Sequence, residues 1–141
     1  DDGAALPLDR CFVVREGPDI TLVTWGAMMR ETLEAAERLS SSGIEAEIID
    51  VATLKPLDAD TILHSVEKTG RCIIVHEAPL TGGFGAEIAA RLAEHALTSL
   101  LAPVVRVAGY DTVMPLPRLE HFYMPSAARI VDAVTSAMEY A

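Results

Sequence analysis

The chain has 141 residues, a length that fits one ordinary domain with its own hydrophobic core. Half of the residues are hydrophobic and 23% are charged, which argues against a disordered chain. The formal net charge of −10 argues against nucleic acid and anionic membranes as partners and suits a basic protein. No apolar run approaches the ~20 residues that span a bilayer, and the first residues lack the basic and apolar regions of a signal peptide.

The two cysteines, Cys11 and Cys72, lie within strand-like apolar runs and form neither a CxxC pair nor a Cys/His cluster. A zinc site is therefore not expected. Reduced cysteines fit the cytosol or an organelle matrix. The chain begins without Met, so we expect it to be a fragment of a longer one.

The first two strand-like runs, residues 10–16 and 20–25, are separated by only three turn-forming residues, Gly-Pro-Asp. A connection this short predicts an antiparallel hairpin. A helix is predicted next over residues 27–41, and Gly43 is expected to end it in the left-handed conformation. The residues expected on its inward face are Met29, Leu33, Ala36 and Ser40.

Strands and helices then continue to alternate. Residues 45–51 predict a strand, and Asp58 is a good N-cap for a helix that Gly70 ends. The residues expected on the inward face of that helix are Ile62, Leu63 and Val66. Residues 71–76 are the most apolar run of the chain and are therefore expected at the centre of the sheet.

A loop at residues 79–85 leads into another predicted helix, which reaches about residue 100 and turns Ile88, Leu92 and Ala96 inward. Residues 104–107 predict a further strand. The three prolines at positions 115, 117 and 125 then predict a long irregular stretch, since proline donates no backbone hydrogen bond. Ser126 is expected to cap a last helix, whose inward residues are Ile130, Val134 and Ala137.

This order of elements predicts the α/β class with three layers, α/β/α. A mostly parallel sheet is expected to be covered by helices on both faces, with the first strand as the antiparallel one. The sequence contains no repeat, no low-complexity tract and no internal linker.

Residues 81–87 (TGGFGAE) join the most apolar strand to a helix, where free N–H groups can hold an anion. However, Ile88 stands where a dinucleotide-binding fingerprint needs Gly or Ala, and Glu87 already places a negative charge in the first turn. A tight structural turn or an interface loop is therefore favoured over a phosphate cradle.

His76 and Glu77 fall at the carboxyl end of the same strand, where open parallel sheets place functional groups. Adjacent strand residues point to opposite faces, so these two form a poor acid–base pair. The favoured interpretation is a hydrogen-bonded histidine and a carboxylate at the helix entry. The alternative is that one of them faces a subunit interface.

Polar and aromatic residues also cluster on the later loops. Asp111, beside Tyr110, is expected to satisfy a turn. Phe122 and Tyr123 are expected either to cover the edge of the core or to anchor a neighbouring subunit. Other positions favour structural roles over function: two helix histidines near or on an apolar face (His64, His95) and two core methionines (Met28, Met29).

Five segments closely resemble, in order, the E1 β subunits of thiamine-diphosphate-dependent 2-oxo acid dehydrogenases. They are residues 16–26 (EGPDITLVTWG), 56–58 (PLD), 76–88 (HEAPLTGGFGAEI), 102–112 (APVVRVAGYDT) and 120–125 (EHFYMP). The resemblance identifies residues 9–141 as the transketolase C-terminal-like domain of such a subunit. It implies that residues 1–8 are a remnant of the interdomain linker and that the sheet has five strands, one of them antiparallel.

The resemblance also implies the chemistry of the whole enzyme: decarboxylation of a 2-oxo acid on thiamine diphosphate, and acylation of the lipoyl group of E2. In this family the diphosphate and its Mg are held by the partner chain, and the aminopyrimidine is held by the β subunit's N-terminal domain. No catalytic, cofactor-binding or metal-binding residue is therefore assigned to this chain, which is expected to be inactive alone. The substrate could be pyruvate, a branched-chain 2-oxo acid or acetoin.

The implied partners are the E1 α subunit and a second β subunit, in a heterotetramer, and the basic binding domain of E2. The candidate residues for the subunit interface are His76, Glu77, Phe84, Tyr110, Asp111, Phe122 and Tyr123. The candidates for E2 docking are Glu139 and the terminal carboxylate of Ala141. Location in a bacterial cytoplasm is expected, with the mitochondrial matrix as the alternative. Two other hypotheses stay open: an independent flavodoxin-like binding module, and a domain of a transketolase or deoxyxylulose-phosphate synthase.

Overall fold

The computed structural model describes residues 6–140 and shows a five-stranded sheet between helices. The strands are β1 (Phe12–Arg15), β2 (Ile20–Thr24), β3 (Ala46–Asp50), β4 (Cys72–Pro79) and β5 (Val105–Gly109). The helices are α1 (Met28–Ser40), α2 (Ala59–Thr69), α3 (Gly85–His95), α4 (Glu120–Tyr123) and α5 (Ala127–Met138). Within the described part of the chain, no helix is both long and apolar enough to cross a membrane.

The sheet has the strand order β1-β3-β2-β4-β5, and its only antiparallel pair within residues 6–140 is β1 with β3. Five mostly parallel strands with an antiparallel first strand were predicted, and this is confirmed. The predicted hairpin between the first two strands is wrong, because β1 pairs with β3 and lies one strand away from β2.

Gly17 explains how so short a connection spans a whole strand. A Cβ at this position would lie 2.4 Å from the carbonyl oxygen of Glu45, so only glycine lets the chain pass this close to the beginning of β3. Asp19 holds the crossing in place. Its N–H donates to the Glu45 carbonyl at 3.1 Å, and its carboxylate accepts from the Glu45 N–H at 2.7 Å.

Alternate side chains of the inner strands enter two separate cores, which gives the predicted three layers. Residues such as Leu22 and Ile73 pack against α1 and α5, while Val23 and Ile74 pack against α2 and α3. The polar Thr21 is also buried, and its hydroxyl bonds to hydroxyl groups of α2 at 2.8 Å. The strand at the centre is β2 and not β4, contrary to the sequence prediction, because two strands flank β2 on each side.

The predicted helix ends are largely confirmed. Asp58 and Ser126 cap α2 and α5, and Gly70 ends α2 with φ +70°. Gly43 is also left-handed, with φ +83°. The inward face of α1 is displaced by about one residue from the prediction, since its buried residues are Met28, Thr32, Ala35, Ala36 and Leu39.

Three boundaries differ from the sequence prediction. The α3 helix ends at His95, and a short 3-10 helix (Leu97–Ser99) follows it. The stretch expected to be irregular contains α4. The last strand, β5, extends to Gly109.

The chain enters the sheet at the end where the parallel strands finish, and its last helix returns to the end where they begin. Phe12, the first residue of β1, pairs with Asp50, the last residue of β3, so the entry lies where the parallel strands end. The last helix runs back to the other edge. There Arg71, which directly precedes β4, donates a hydrogen bond to the Ala137 carbonyl at 3.2 Å.

We predict that Asp58 contributes more to stability than an ordinary cap does. Its carboxylate accepts from the N–H of Thr61 at 3.2 Å and from the N–H of Cys11, just before β1, at 3.0 Å. Asp58→Ala should lower the free energy of unfolding by about 2–4 kcal/mol, because a cap and a second buried donor both lose their partner. The matched control is Ser126→Ala, which removes only a cap and should cost about 1 kcal/mol. Urea unfolding of both variants measures this, and equal losses would contradict it.

Candidate functional site

Two loops meet at the edge where the parallel strands end: one follows β4 and the other follows β5. The carboxylate of Asp111 accepts from the N–H of Thr81 at 2.8 Å and from its hydroxyl at 2.6 Å. These hydrogen bonds hold the pKa of Asp111 below its ordinary value. Arg106 of β5 adds a third bond, from its Nη1 to the Leu80 carbonyl at 2.8 Å. Asp111 therefore joins two loops, whereas the sequence predicted that it satisfies its own turn.

His76 lies beneath these loops and is wholly buried. Its ring stacks on Trp25 with centroids 5.4 Å apart, and Trp25 meets Phe84 edge-on at 6.1 Å. Neither ring nitrogen of His76 has a hydrogen-bond partner among the described residues. The sequence prediction of a hydrogen-bonded histidine is therefore wrong, because the ring is enclosed by Trp25 after β2 and by the glycines of the loop after β4.

Burial is the main reason that the pKa of His76 lies below the ordinary histidine value. The positive charge of Arg106 lowers this pKa further, while the backbone at Ala78 acts in the opposite direction. Both effects that lower the pKa favour the neutral ring. His76 therefore contributes packing and no charge to the site near neutral pH.

The glycines of the loop leave the space that the His76 ring occupies. A Cβ on Gly83 would lie 2.6 Å from the ring, and one on Gly85 would lie 2.4 Å from it. At the start of α3, the N–H groups of Ala86 and Glu87 already donate to loop carbonyls. The loop is thus closed around the ring as a tight turn, and its residues do not fit the diphosphate of thiamine diphosphate.

The aromatic candidates separate into buried and exposed residues. Tyr123 is buried against Gly109, where an added Cβ would lie 2.6 Å from the tyrosine ring. Phe122 is 69% exposed, and Phe84 is partly buried in the core below the loop. Tyr110 is 51% exposed and carries the Arg129 guanidinium 4.6 Å above its ring. Of the two roles considered for Phe122 and Tyr123, Tyr123 covers the core and Phe122 is available to a neighbour.

Apolar residues continue from Phe122 back along the chain on the surface. We call residues 113–122 the apolar segment. Its exposed large side chains are Val113, Met114, Leu116, Leu119 and Phe122, with 51–89% of each accessible. Sequence reasoning noticed the prolines and Phe122 here but not the other apolar residues. The missed signal was the density of large apolar residues around Pro115 and Pro117, where the prolines prevent a continuous helix or strand that would bury them.

A groove of about 980 Å³ separates the apolar segment from the beginning of α1. Four of the five methionines of the chain line it: Met28, Met29, Met114 and Met124. Met28 is buried, as predicted for a core residue, but Met29 lies partly open to the groove. Methionine side chains are flexible and polarisable, so such a surface can adapt to a partner.

The remaining candidates are dispersed. Glu77 is exposed on the opposite side of β4 from His76, so the two do not form a pair, as expected. Glu139 is exposed at the end of α5, far along the chain from the loops, and Ala141 lies outside the described residues. His64 and His95 are exposed, which corrects their expected place near or on an apolar face. Within residues 6–140, no group of three His, Cys, Asp or Glu is arranged to hold a metal ion.

The buried His76 predicts a pH effect on stability. Because its folded-state pKa lies below the ordinary value of about 6.5, the unfolded chain takes up a proton at a pH where the folded chain does not. Its contribution is complete above pH ~6.5 and is lost as the pH falls from there towards the folded-state pKa.

His76→Leu should therefore make the free energy of unfolding less dependent on pH between about 7 and 5. The control His64→Gln removes an exposed histidine and should keep the wild-type dependence. Urea titrations at several pH values measure this. A pH profile of the His76 variant that matches the wild type would overturn the assignment.

Comparison with known proteins gives a consistent result. The model of the family described as "Transketolase, C-terminal domain" matches residues 9–130. The pyruvate dehydrogenase E1 component subunit beta of Staphylococcus epidermidis is 43% identical over 135 residues, which cover 96% of this chain and 42% of that protein. The mitochondrial 2-oxoisovalerate dehydrogenase subunit beta 2 of Arabidopsis thaliana is 49% identical over 99% of this chain and 39% of that protein.

Comparison with solved structures shows the same fold. A structure described as a split gene transketolase, inactive beta4 tetramer, has a TM-score of 0.85 and 33% identity, and covers 99% of this chain and 45% of that chain. A 2-oxoglutarate:ferredoxin oxidoreductase from Magnetococcus marinus shares the fold alone, with a TM-score of 0.61 and 16% identity over 92% of this chain and 19% of that one.

The chain spans less than half of the length of the curated relatives it matches. Those relatives are the E1 β subunits of pyruvate and branched-chain 2-oxo acid dehydrogenases that the sequence motifs indicated, so the resemblance is confirmed. With a family model that covers most of its residues, the chain belongs to the family of transketolase C-terminal domains.

Proposed function

We propose that the chain is the structural and assembly domain of the E1 β subunit of a 2-oxo acid dehydrogenase. The observation that carries this proposal is the 43–49% identity to E1 β subunits over nearly the whole chain. The complete enzyme would decarboxylate a 2-oxo acid on thiamine diphosphate and transfer the acyl group to the lipoyl group of E2. The same relatives favour this role over an independent flavodoxin-like module and over other thiamine enzymes.

The reactive groups of the described residues support a role in assembly and not in chemistry. Burial raises the pKa of Cys11 to about 12 and raises that of Cys72 as well, so neither thiol supplies a nucleophile at neutral pH. His76 is shielded by Trp25 and the glycine loop. We therefore assign thiamine diphosphate and Mg to the α subunit and to the N-terminal domain of the β subunit.

The apolar segment is the surface that we assign to contacts with a second β subunit and the α subunit, in a heterotetramer. Residues 110–125 carry two acidic side chains and one basic one, so nearly all of the net charge of −10 lies elsewhere. Two acidic chains repel each other least where they meet through such a surface. The related chain described as a beta4 tetramer supports self-association of this kind.

The test of this role compares the complete enzyme with the isolated domain. The full-length β subunit, expressed with its α subunit, should show thiamine-diphosphate-dependent decarboxylation of pyruvate or of a branched-chain 2-oxo acid. Residues 6–141 alone should neither bind the cofactor tightly nor turn over. Turnover by the domain alone, or no turnover by the complete enzyme with any 2-oxo acid, would reject the proposal.

Phe122→Asp in the complete enzyme should raise the dissociation constant of the assembly about tenfold or more, since it places a charge in a desolvated contact. His64→Asp, which adds the same charge at an exposed position of α2, should leave assembly unchanged. Sedimentation velocity over a range of concentrations measures both variants. Full tolerance of Phe122→Asp would remove the apolar segment from the interface.

We also place the docking of the basic E2 binding domain on this acidic chain, with Glu139 and the terminal carboxylate of Ala141 as contributors. Long-range attraction mainly raises the association rate. Raising salt from about 0.05 to 0.5 M shortens the screening length from ~14 to ~4 Å, so association of intact E1 with the E2 binding domain should slow strongly. Stopped-flow measurement decides this, and a salt-independent rate would exclude electrostatic docking. Unchanged affinity after removal of the last three residues would exclude the C-terminus.

The proposed location is the bacterial cytoplasm, with the mitochondrial matrix as the alternative. One of the curated relatives is a bacterial protein, and another is named as a mitochondrial protein. Reduced Cys11 and Cys72, both buried and unpaired, are compatible with either compartment.

A further inference from the structure

A small pocket at the end of β5 holds two arginines. Its volume is about 210 Å³, and its wall includes Arg106, Arg129, Tyr110 and Asp111. Both arginines are partly buried. Arg129 bonds to the Ala108 carbonyl at 2.8 Å and to the Met124 carbonyl at 3.4 Å, and it stacks on Tyr110. The protein therefore holds two guanidinium groups in a fixed orientation at one concave surface.

Neither guanidinium has a carboxylate within ion-pair distance among residues 6–140. Asp111 is the acidic residue of the pocket wall, but its two oxygens already accept from Thr81. The bonds of both arginines go to backbone carbonyls, which bring no neutralising charge. Each guanidinium has five N–H donors, so several of them are left for a further acceptor.

Five of the 11 basic residues pair with carboxylates among residues 6–140, and Arg106 and Arg129 are among those that do not. Arg15, Arg30, Arg38, Arg91 and Lys68 all pair with carboxylates of the same chain. Arg129 also lies in the first turn of α5, where a positive charge is unfavourable. The charge of Arg106 helps to hold the pKa of Asp111 low, whereas Arg129 has no carboxylate within ion-pair distance among residues 6–140.

We infer that this pocket receives the carboxylate of an aspartate or glutamate side chain from a neighbouring subunit. A guanidinium fork matches a carboxylate in shape and charge. The pocket is smaller than the roughly 300–1,000 Å³ of small-molecule sites, so a single side chain fits it better than a cofactor. Tyr110, half exposed beside Arg129, belongs with arginine to the residue types that dominate interface energetics. The inference rests on the proposed role in assembly and deepens it.

The test places an amine in the pocket and asks which carboxylate it reaches. Arg129→Lys in the intact E1 assembly is treated with a water-soluble carbodiimide, which couples an amine to a carboxylate in direct contact. Mass spectrometry of the digest should find residue 129 joined to an aspartate or glutamate of another chain. The matched control is Arg91→Lys on α3, which should couple to Glu87 of its own chain, since Arg91 pairs with that residue at 2.8 Å.

A second variant measures how much the guanidinium of Arg129 contributes to the stability of the assembly. Arg129→Met should raise the dissociation constant of the assembly roughly 30-fold or more, as expected when one side of a buried charge pair is removed. A role confined to stacking on Tyr110 would lower the thermal stability of the chain and leave the dissociation constant unchanged. If Arg129→Lys does not assemble, Arg106→Lys in the same pocket takes its place in the coupling experiment.

The outcomes separate this inference from the proposed function. If the wild-type chains assemble and the control couples, the absence of an interchain product at residue 129 and at residue 106 overturns the carboxylate site and leaves the assembly role intact. Coupling of residue 129 only to Asp111 of its own chain would likewise overturn the carboxylate site and leave the assembly role intact. If the wild-type chains do not assemble at all, both the proposed function and this inference are wrong.

Discussion

The burial of β2 and β4 between two layers of helices is the constraint on which the rest of this structure depends. Each strand is covered on both faces, so its alternate side chains must fill two different cores. Even Thr21 is buried, and it is tolerated because two hydroxyl groups of α2 satisfy its own. Since the faces of the sheet are occupied by packing, only the loops at its ends can present groups to a partner.

The loops at the carboxyl edge are correspondingly well fixed. His76 fills the space left by Gly83 and Gly85, and Asp111 ties the second loop to the first. These contacts order the backbone that leads into the apolar segment, although the segment itself lacks a partner within the described chain. A segment whose two ends are fixed, here by Asp111 and the buried Tyr123, loses less entropy when it is covered than a free loop does, which favours assembly.

Helix ends, apolar strands and the three layers could be predicted from sequence because each depends on neighbours along the chain. Asp58, Gly70 and Ser126 are examples, since a cap acts on backbone groups one turn away. The partner of β1 could not be predicted in this way. A three-residue connection indicated a hairpin, whereas the pairing of β1 with β3 and the close contact of Gly17 with the start of β3 show that the chain crosses a strand.

The candidate site was predictable to a similar degree. The sequence placed His76 at the carboxyl end of its strand and Asp111 on the loop after the next strand, because strand ends and loops can be recognised from composition. It did not show that the His76 nitrogens lack partners, or that Tyr123 is buried while its neighbour Phe122 is exposed. Those properties depend on which distant residues fill the surrounding space.

The antiparallel first strand has a consequence for the geometry of the whole domain. Because β1 runs against the others, the chain enters the domain at the same pole as the loops, next to Asp50. The last helix ends at the opposite pole, near Arg71, and carries Glu139 there. The entry of the chain and the end of its last helix therefore lie about one sheet length apart, on two separate faces of the domain. A protein bound at one pole leaves the other open, which is the geometric condition for a bridge between two neighbours.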